Sequence, residues 1–375
     1  MNRISLRLLI MFLYLLLEGI PVVTASSLVI HSPSDYQVIQ RDKYDFGTIV
    51  IIGQFKCASP YRIEVRIIDG EYLSTWQQST DLIESPDYRA VLKIPAGGWY
   101  RLEVRALINQ SVLAESVVEH VGVGEVFFVA GQSNSANYGE ERQKVLTGLV
   151  SAYTGLGWQP ADDPQPLASG SGGSFIPPLG DLLAVRFKVP IGFVSCGIGA
   201  TSVREWLPGG TRFPVPPTRE NRVRKLPSGE WESNGQAYTS LLSLMKLFGP
   251  KGFRAVLWHQ GESDANQPDS SRSLSEEQYS RHLGQIIRNS RTESCWNIPW
   301  FVANVSYHVP GDESSPEIRA GQKGLWDTGL AYEGPDTDLL KGKLREKNGM
   351  GVHFSGEGLR KHAILWFEKL EPWLN

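Results

Sequence analysis

A serine, a histidine and several amide-bearing residues stand where apolar runs end. Gly131-Gln132-Ser133-Asn134 closes the run Val126-Phe127-Phe128-Val129-Ala130. A Gly-led polar turn at the carboxyl end of a strand lifts a hydroxyl to the sheet edge, where open α/β sheets build their sites. Such a serine becomes a nucleophile when a base reaches it; read alone, the tetrapeptide is more simply a turn closing a buried strand. Two further segments change the reading. Trp258-His259-Gln260-Gly261-Glu262-Ser263-Asp264 follows another apolar run, Ala255-Val256-Leu257, and Gly351-Val352-His353-Phe354-Ser355-Gly356-Glu357-Gly358-Leu359 lies near the C-terminus. His353, on a Gly-rich loop just before a helix whose expected N-cap is Ser355, is the best candidate for the general base that Ser133 needs.

Together the three segments resemble the SGNH hydrolases, in the branch of sialate O-acetylesterases and related carbohydrate acetylesterases, over roughly residues 122 to 370. The resemblance implies Ser133 as nucleophile and His353 as base. It also implies an oxyanion hole made by the Ser133 N–H, the Gly199 N–H and the side-chain amide of Gln260, glutamine being the variant of this branch. Relatives often read Gly-Gly-Thr-Ser where this chain has Gly199-Ala200-Thr201-Ser202, a change expected to leave the Gly199 amide free. One departure bears on mechanism. Many members carry an aspartate three residues before the histidine, to orient the ring and stabilise the imidazolium; here that position is Met350. Either a backbone carbonyl orients His353 in a Ser-His dyad, the favoured reading, or a carboxylate arrives from elsewhere. Glu262 is then second-sphere support or the third member itself, with Asp336 and Asp338 as other sources.

Of the remaining histidines, His259 reads as a positioning or core residue and His308 as a possible substrate contact at a strand end. His31, His120, His282 and His362 carry no motif. No Gly-x-Ser-x-Gly pentapeptide occurs, which argues against an α/β-hydrolase elbow. His259-x-x-Glu262 stands alone without further ligands, so neither a metal nor any other cofactor is expected.

These residues need a frame. From Val123 onward, apolar strands (126–130, 189–195, 254–258, 299–305) alternate with helical patterns at Leu179–Phe187, Ala237–Leu247, Ser275–Ile287 and Glu357–Leu370. Ser275 and Gln278 have the spacing of a capping box. This alternation predicts an α/β fold, a three-layer hydrolase domain with a mostly parallel sheet covered on both faces. The Gly/Pro/Ser-rich stretches 162–180 and 208–232 are expected as long loops shaping a site. Upstream, Leu28–Ile30, Thr48–Ile52, Tyr61–Ile68, Ala90–Ile94 and Trp99–Ala106 are short strands separated by turn signals, which suggests a small immunoglobulin-like β-sandwich. Tyr72, Trp76 and Trp99 there either pack its core or interface, the simpler reading, or form a sugar platform. The expected organisation is thus a signal peptide at 1–25, the β-sandwich at 26–121 and the esterase domain at 122–375.

Arg3 and Arg7 precede the apolar run Leu8–Leu17, and Val23-Thr24-Ala25 offers a cleavage site, the layout of a secretory signal. The run is too short for a permanent membrane span, so a secreted or periplasmic protein is expected. The net charge of −3 falls to −4 without Arg3, Arg7 and Glu18. With no basic cluster, neither nucleic acid nor an anionic membrane is an expected partner. Cys57, Cys196 and Cys295 allow at most one disulfide; all three are read as buried small hydrophobes. The expected function is a serine esterase removing O-acetyl groups from sialic acid or another glycan. A xylan or other polysaccharide acetylesterase fits the same motifs, and Met350 alone favours a non-catalytic sugar-binding relative.

Overall fold

The computed structural model describes residues 27–375 except 70, 71 and 79–81, so the expected signal peptide lies outside the described residues. The chain opens with β1 (Leu28–Ser32), β2 (Gln37–Gln40), β3 (Phe46–Phe55), β4 (Arg62–Asp69), β5 (Asp87–Pro95) and β6 (Gly97–Ile108). Burial alternates residue by residue along β3 and β4, as the two-residue period of a strand requires. β1, β3 and β5 form one antiparallel sheet, and β4 pairs with β6 in another. Ile49, Ile51 and Leu92 of the first sheet share an apolar cluster with Ile63, Val65, Leu102 and Val104 of the second.

β7 (Ser111–Gly131) joins this region to the rest of the molecule. Its first half alternates and pairs with β6; from Val121 to Gly131 every residue is buried. That change is what a strand shows when it passes from a half-exposed sheet into one covered on both faces. The boundary expected between residues 121 and 122 therefore falls inside one continuous strand, and no linker separates the two regions.

The central sheet adds β8 (Val150–Tyr153), β9 (Trp158–Pro160), β10 (Ile191–Ser195), β11 (Ala255–His259), β12 (Trp300–Asn304) and β13 (Tyr332–Asp336), in the order β9-β8-β10-β7-β11-β12-β13. Every pair is parallel except β8 with β9. The helices are α1 (Ile176–Phe187), α2 (Gln236–Phe248), α3 (Glu276–Ser294), α4 (Pro316–Asp327) and α5 (Gly356–Leu374). On one face Phe128, Trp258 and Trp300 pack with Leu241 of α2, Leu283 of α3 and Ile318 of α4. On the other, Phe127, Leu257 and Phe301 meet Leu179 of α1 and Trp366 of α5. Successive residues of β7 thus feed opposite cores, which accounts for its unbroken apolar run.

Ser275 and Gln278 form the expected capping box at α3, and Ser355 accepts from the Gly358 N–H at the start of α5. Residues 208–232 are less irregular than expected, since Arg212–Phe213, Val223–Lys225 and Trp231–Ser233 make a small antiparallel sheet. The cysteines are all free, and only Cys196 is buried as expected: Cys57 is half-buried, and Cys295 is exposed at the left-handed C-cap of α3. The guanidinium groups of Arg66 and Arg105 both lie against the Trp76 ring. Trp99 donates to the Gly148 carbonyl at 2.8 Å, so it packs between the two regions rather than offering a free sugar platform. The side chain of Tyr72 is outside the described residues. Among the described residues no helix is long and apolar enough to cross a membrane.

Where β7 enters the central sheet, the buried Glu125 carboxylate accepts from Arg41 Nε (2.6 Å), Gln40 Nε2 (2.8 Å), Arg254 Nε (2.6 Å) and Arg254 Nη2 (2.8 Å). One acid thus ties the N-terminal strands to the segment leading into β11. Removing it leaves the Arg254 guanidinium without its carboxylate and Arg41 with only the exposed Asp45 as counter-charge. Glu125→Ala should lower the unfolding free energy by on the order of 3 kcal/mol in denaturant titrations. The kcat should change little, because Ser133 lies eight positions further along the chain, roughly 25 Å at the rise of a strand.

Candidate active site

The turn at Ser133 is built by close backbone approach. Gly131 has φ of 125°, and a β-carbon there would collide with the His259 carbonyl of the neighbouring strand, so only glycine fits. The Gln132 N–H donates to His259 O (3.0 Å), and the Gly131 carbonyl accepts from Ile198 N–H (2.9 Å). These bonds bring the Ser133, Gly199 and Gln260 segments to one edge of the sheet. Ser133–Ser135 then form a single turn of 3-10 helix, with Ser133 only 5% exposed. Asn134, the next residue, donates through Nδ2 to Glu262 Oε1 (2.9 Å) and to the Val352 carbonyl (3.3 Å), beside His353. The Tyr138 ring, on the same segment, stacks on the His353 imidazole with centroids 5.3 Å apart.

The histidine loop explains how the chain manages with Met350 in the aspartate position. Arg345 and Phe354 form an antiparallel bridge, and the Glu346 N–H donates to His353 O at 2.8 Å. Lys347 and Asn348 take left-handed conformations, Gly349 follows at φ 91°, and the chain doubles back. Glu346 and His353 thereby face each other across a hairpin. Glu346 Oε1 accepts from His353 Nδ1 at 2.8 Å and from its backbone N–H at 3.3 Å. A carboxylate here acts as acceptor, so the ring proton sits on Nδ1 and the Nε2 lone pair is free. Burial pulls the His353 pKa below its ordinary 6.5, and the charge of Glu346 opposes that pull.

This geometry corrects the expectation of a backbone-oriented dyad. The carboxylate at His353 belongs to Glu346, which the sequence reading did not single out. Glu262 does not reach the ring; it holds Asn134 instead. Asp336 is paired with Arg319, and Asp338 accepts from Arg319 and from the Ser306 and Tyr307 N–H groups. Met350 is 63% exposed and fills no apolar pocket. Buried Arg345 braces the loop, donating to the carbonyls of Leu340 (2.6 Å), Thr337 (2.8 Å) and Val352 (2.8 Å) between the Tyr307 and Phe354 rings.

The expected oxyanion donors fare differently. Among the described residues the Ser133 N–H has no acceptor. The Gly199 N–H is not free, because it donates to Ser169 Oγ at 2.7 Å. Ser169 belongs to the 162–180 stretch, which touches the Gly199 segment here but passes into α1 at Ile176 rather than staying a loop throughout. Gln260 is fully buried, and its Nε2 faces three acceptors: Asp264 Oδ2 (2.7 Å), Thr201 O (3.1 Å) and Gln132 Oε1 (3.2 Å). Two hydrogens shared among three acceptors leave no donor for substrate. Gln260 is a clamp joining the segments, not an exposed oxyanion donor. Ala200 sits at φ 57°, in the left-handed region that favours glycine.

Beneath Asn134, Glu262 and His259 are both buried, with Oε1 3.9 Å from Nδ1. Desolvation raises the Glu262 carboxyl to about 7 and lowers His259 to about 3. Both groups are therefore neutral at mildly acidic pH, and the contact is not an ion pair. His308, the possible substrate contact, bridges Asp312 Oδ2 (2.6 Å) and the Glu262 carbonyl (2.5 Å).

The solved structure of XAC1771, a carbohydrate acetylesterase from Xanthomonas citri, matches with a TM-score of 0.50 at 19% identity, covering 88% of this chain and 71% of that one. At that identity the likeness concerns the fold, which is that of a carbohydrate acetylesterase of known structure. Residues 123–364 match the carbohydrate esterase family described as sialic acid-specific acetylesterases, and the chain belongs to that family. A β-glucuronidase from Ruminococcus gnavus matches at 11% identity, covering 87% of this chain and 56% of that one, but its TM-score of 0.27 carries no argument. No curated protein sequence matches the chain.

The raised Glu262 pKa has a thermodynamic consequence. The folded state keeps a proton that the unfolded chain releases near 4.5, so stability falls as pH rises from about 4.5 through about 7. Across that window wild type should lose on the order of 3 kcal/mol of unfolding free energy. Glu262→Gln keeps an oxygen to accept from Asn134 and should lose this dependence, becoming the more stable protein at pH 8. Unfolding curves at pH 5 and pH 8 check it.

Proposed function

We propose that the protein is a secreted serine O-acetylesterase, cleaving acetyl groups from sialic acid or another O-acetylated glycan through an acyl-enzyme. The observation that carries this reading is the 2.8 Å bond from His353 Nδ1 to Glu346, on a loop that Asn134 ties to the Ser133 turn. Ser133 attacks the acetyl carbon while His353 Nε2 takes its proton. Glu346 holds the ring and stabilises the imidazolium that forms. The Ser133 N–H receives the developing oxyanion, joined by the Gly199 N–H once the Ser169 hydroxyl turns aside. The proton then passes to the leaving sugar hydroxyl, and water attacks the acetyl-serine by the same route. Met350 is the one feature that favours a non-catalytic sugar binder; the Glu346 carboxylate on His353 supports the catalytic reading instead. In this reading residues 1–25 direct export, and 26–121 form a β-sandwich that anchors the long strand β7.

Ser133→Ala should lower acetylesterase activity by about three orders of magnitude or more with the fold intact. Glu346→Gln should cost roughly 10²- to 10⁴-fold in kcat. The base works as neutral imidazole, so activity falls as pH drops through the His353 pKa, placing the acid limb of kcat/KM below the ordinary 6.5. Glu346 raises that pKa, so in Glu346→Gln the limb should move to still lower pH while the plateau drops. An unmoved limb with an undiminished plateau would exclude Glu346 as the partner of His353.

A further inference from the structure

Tyr138 spans the two halves of the site. Its ring lies on the His353 imidazole, and its hydroxyl end lies against Gly199, where an added β-carbon would collide with the phenol oxygen. A β-carbon at Gly170 would likewise press on the Tyr138 ring. The half-buried phenol is thus held in a slot between two glycines and the histidine. Among the described residues its hydroxyl has no hydrogen-bond partner. That vacancy falls beside the oxyanion region, which is short of donors: the Gln260 amide is consumed by Asp264, Thr201 and Gln132, and the Gly199 N–H is held by Ser169.

We propose that the Tyr138 hydroxyl is a catalytic donor to the oxyanion, filling the role that Gln260 does not. The inference rests on the esterase reading of Ser133 and His353. As the Ser133 Oγ–carbon bond forms, the carbonyl π pair moves onto oxygen and the serine proton goes to His353 Nε2. Tyr138 keeps its own proton and points it at the new oxyanion. On collapse that pair re-forms the carbonyl, the bond to the sugar oxygen breaks, and His353 returns the proton to the leaving hydroxyl. The Tyr138 contact strengthens as charge grows on oxygen, so it acts on kcat more than on KM. Stacking on His353 fixes the phenol relative to the base, so no separate ordering step is needed at the moment of reaction.

The test compares Tyr138→Phe, Tyr138→Leu and Ser133→Ala on 4-nitrophenyl acetate, which has no sugar. Tyr138→Phe keeps the ring and loses only the donor. It should lower kcat roughly 10²-fold with KM within about threefold and an unchanged melting temperature. A Tyr138→Phe enzyme with wild-type kcat overturns the proposal, as does a Tyr138→Leu enzyme faster than wild type, which would make the phenol a mere cover. A defect seen on acetylated sugar but absent on the aryl acetate also overturns it, since the hydroxyl would then contact the sugar. Full activity in Ser133→Ala would instead sink the esterase reading itself, so the two failures are separable.

Discussion

The hydrogen bond between Glu346 and His353 holds because the eight residues 346–353 are folded back on themselves. Two non-glycine residues, Lys347 and Asn348, adopt left-handed backbone to make that reversal, at a cost of roughly 1–2 kcal/mol each. Such strain persists where surrounding structure over-determines it, and here Arg345 does so. Its guanidinium is clamped between two aromatic rings and bonded to three carbonyls. Burial draws its pKa down to about 10, which still leaves it charged at neutral pH. The carboxylate, the ring it orients and the α5 N-terminus beyond it are one unit, and the Ser133 turn is joined to that unit through Asn134.

The other half of the constraint is β7. One strand begins in the N-terminal sheets, is anchored at Glu125 by two arginines, and delivers Ser133 at its far end. Its position between β10 and β11 lets the Gly131 and Gln132 backbone bond to both neighbouring segments at once. Behind the turn lies a layer of buried polar side chains. Gln260 joins Thr201, Asp264 and Gln132, while Asp264 also accepts from Ser202 Oγ and the Val203 N–H. Satisfied networks of this kind rigidify a site, and this one fixes the spacing of the serine, glycine and histidine segments.

What the sequence revealed follows from how local each feature is. Ser133 and His353 were legible because each ends or begins a regular element, with glycine and an N-cap serine as punctuation. The parallel sheet and the caps at Ser275 and Ser355 were legible for the same reason. β2, β8, β9 and β13 were not, being short or polar, and the unbroken β7 erased the domain boundary that a change of texture implied. Glu346 escaped because its pairing depends on a reversal through left-handed residues, although Asn348-Gly349 is a turn signal that would have set it opposite His353. Gln260 drew its expected role from its motif. Asp264, four residues on, captures that amide, and Ser169, thirty residues before Gly199, holds the neighbouring N–H. Contacts of that kind are set by packing, which spacing in one sequence does not encode.

Covalent trapping tests the central claim most directly. A phosphonate ester incubated with the protein should abolish esterase activity and add one adduct by intact mass, mapping to Ser133. The labelling rate should fall steeply in His353→Ala, and by a comparable or smaller factor in Glu346→Gln, because the base and its partner activate the same hydroxyl. An adduct on another residue, or labelling of Ser133 at an undiminished rate without His353, would contradict the account.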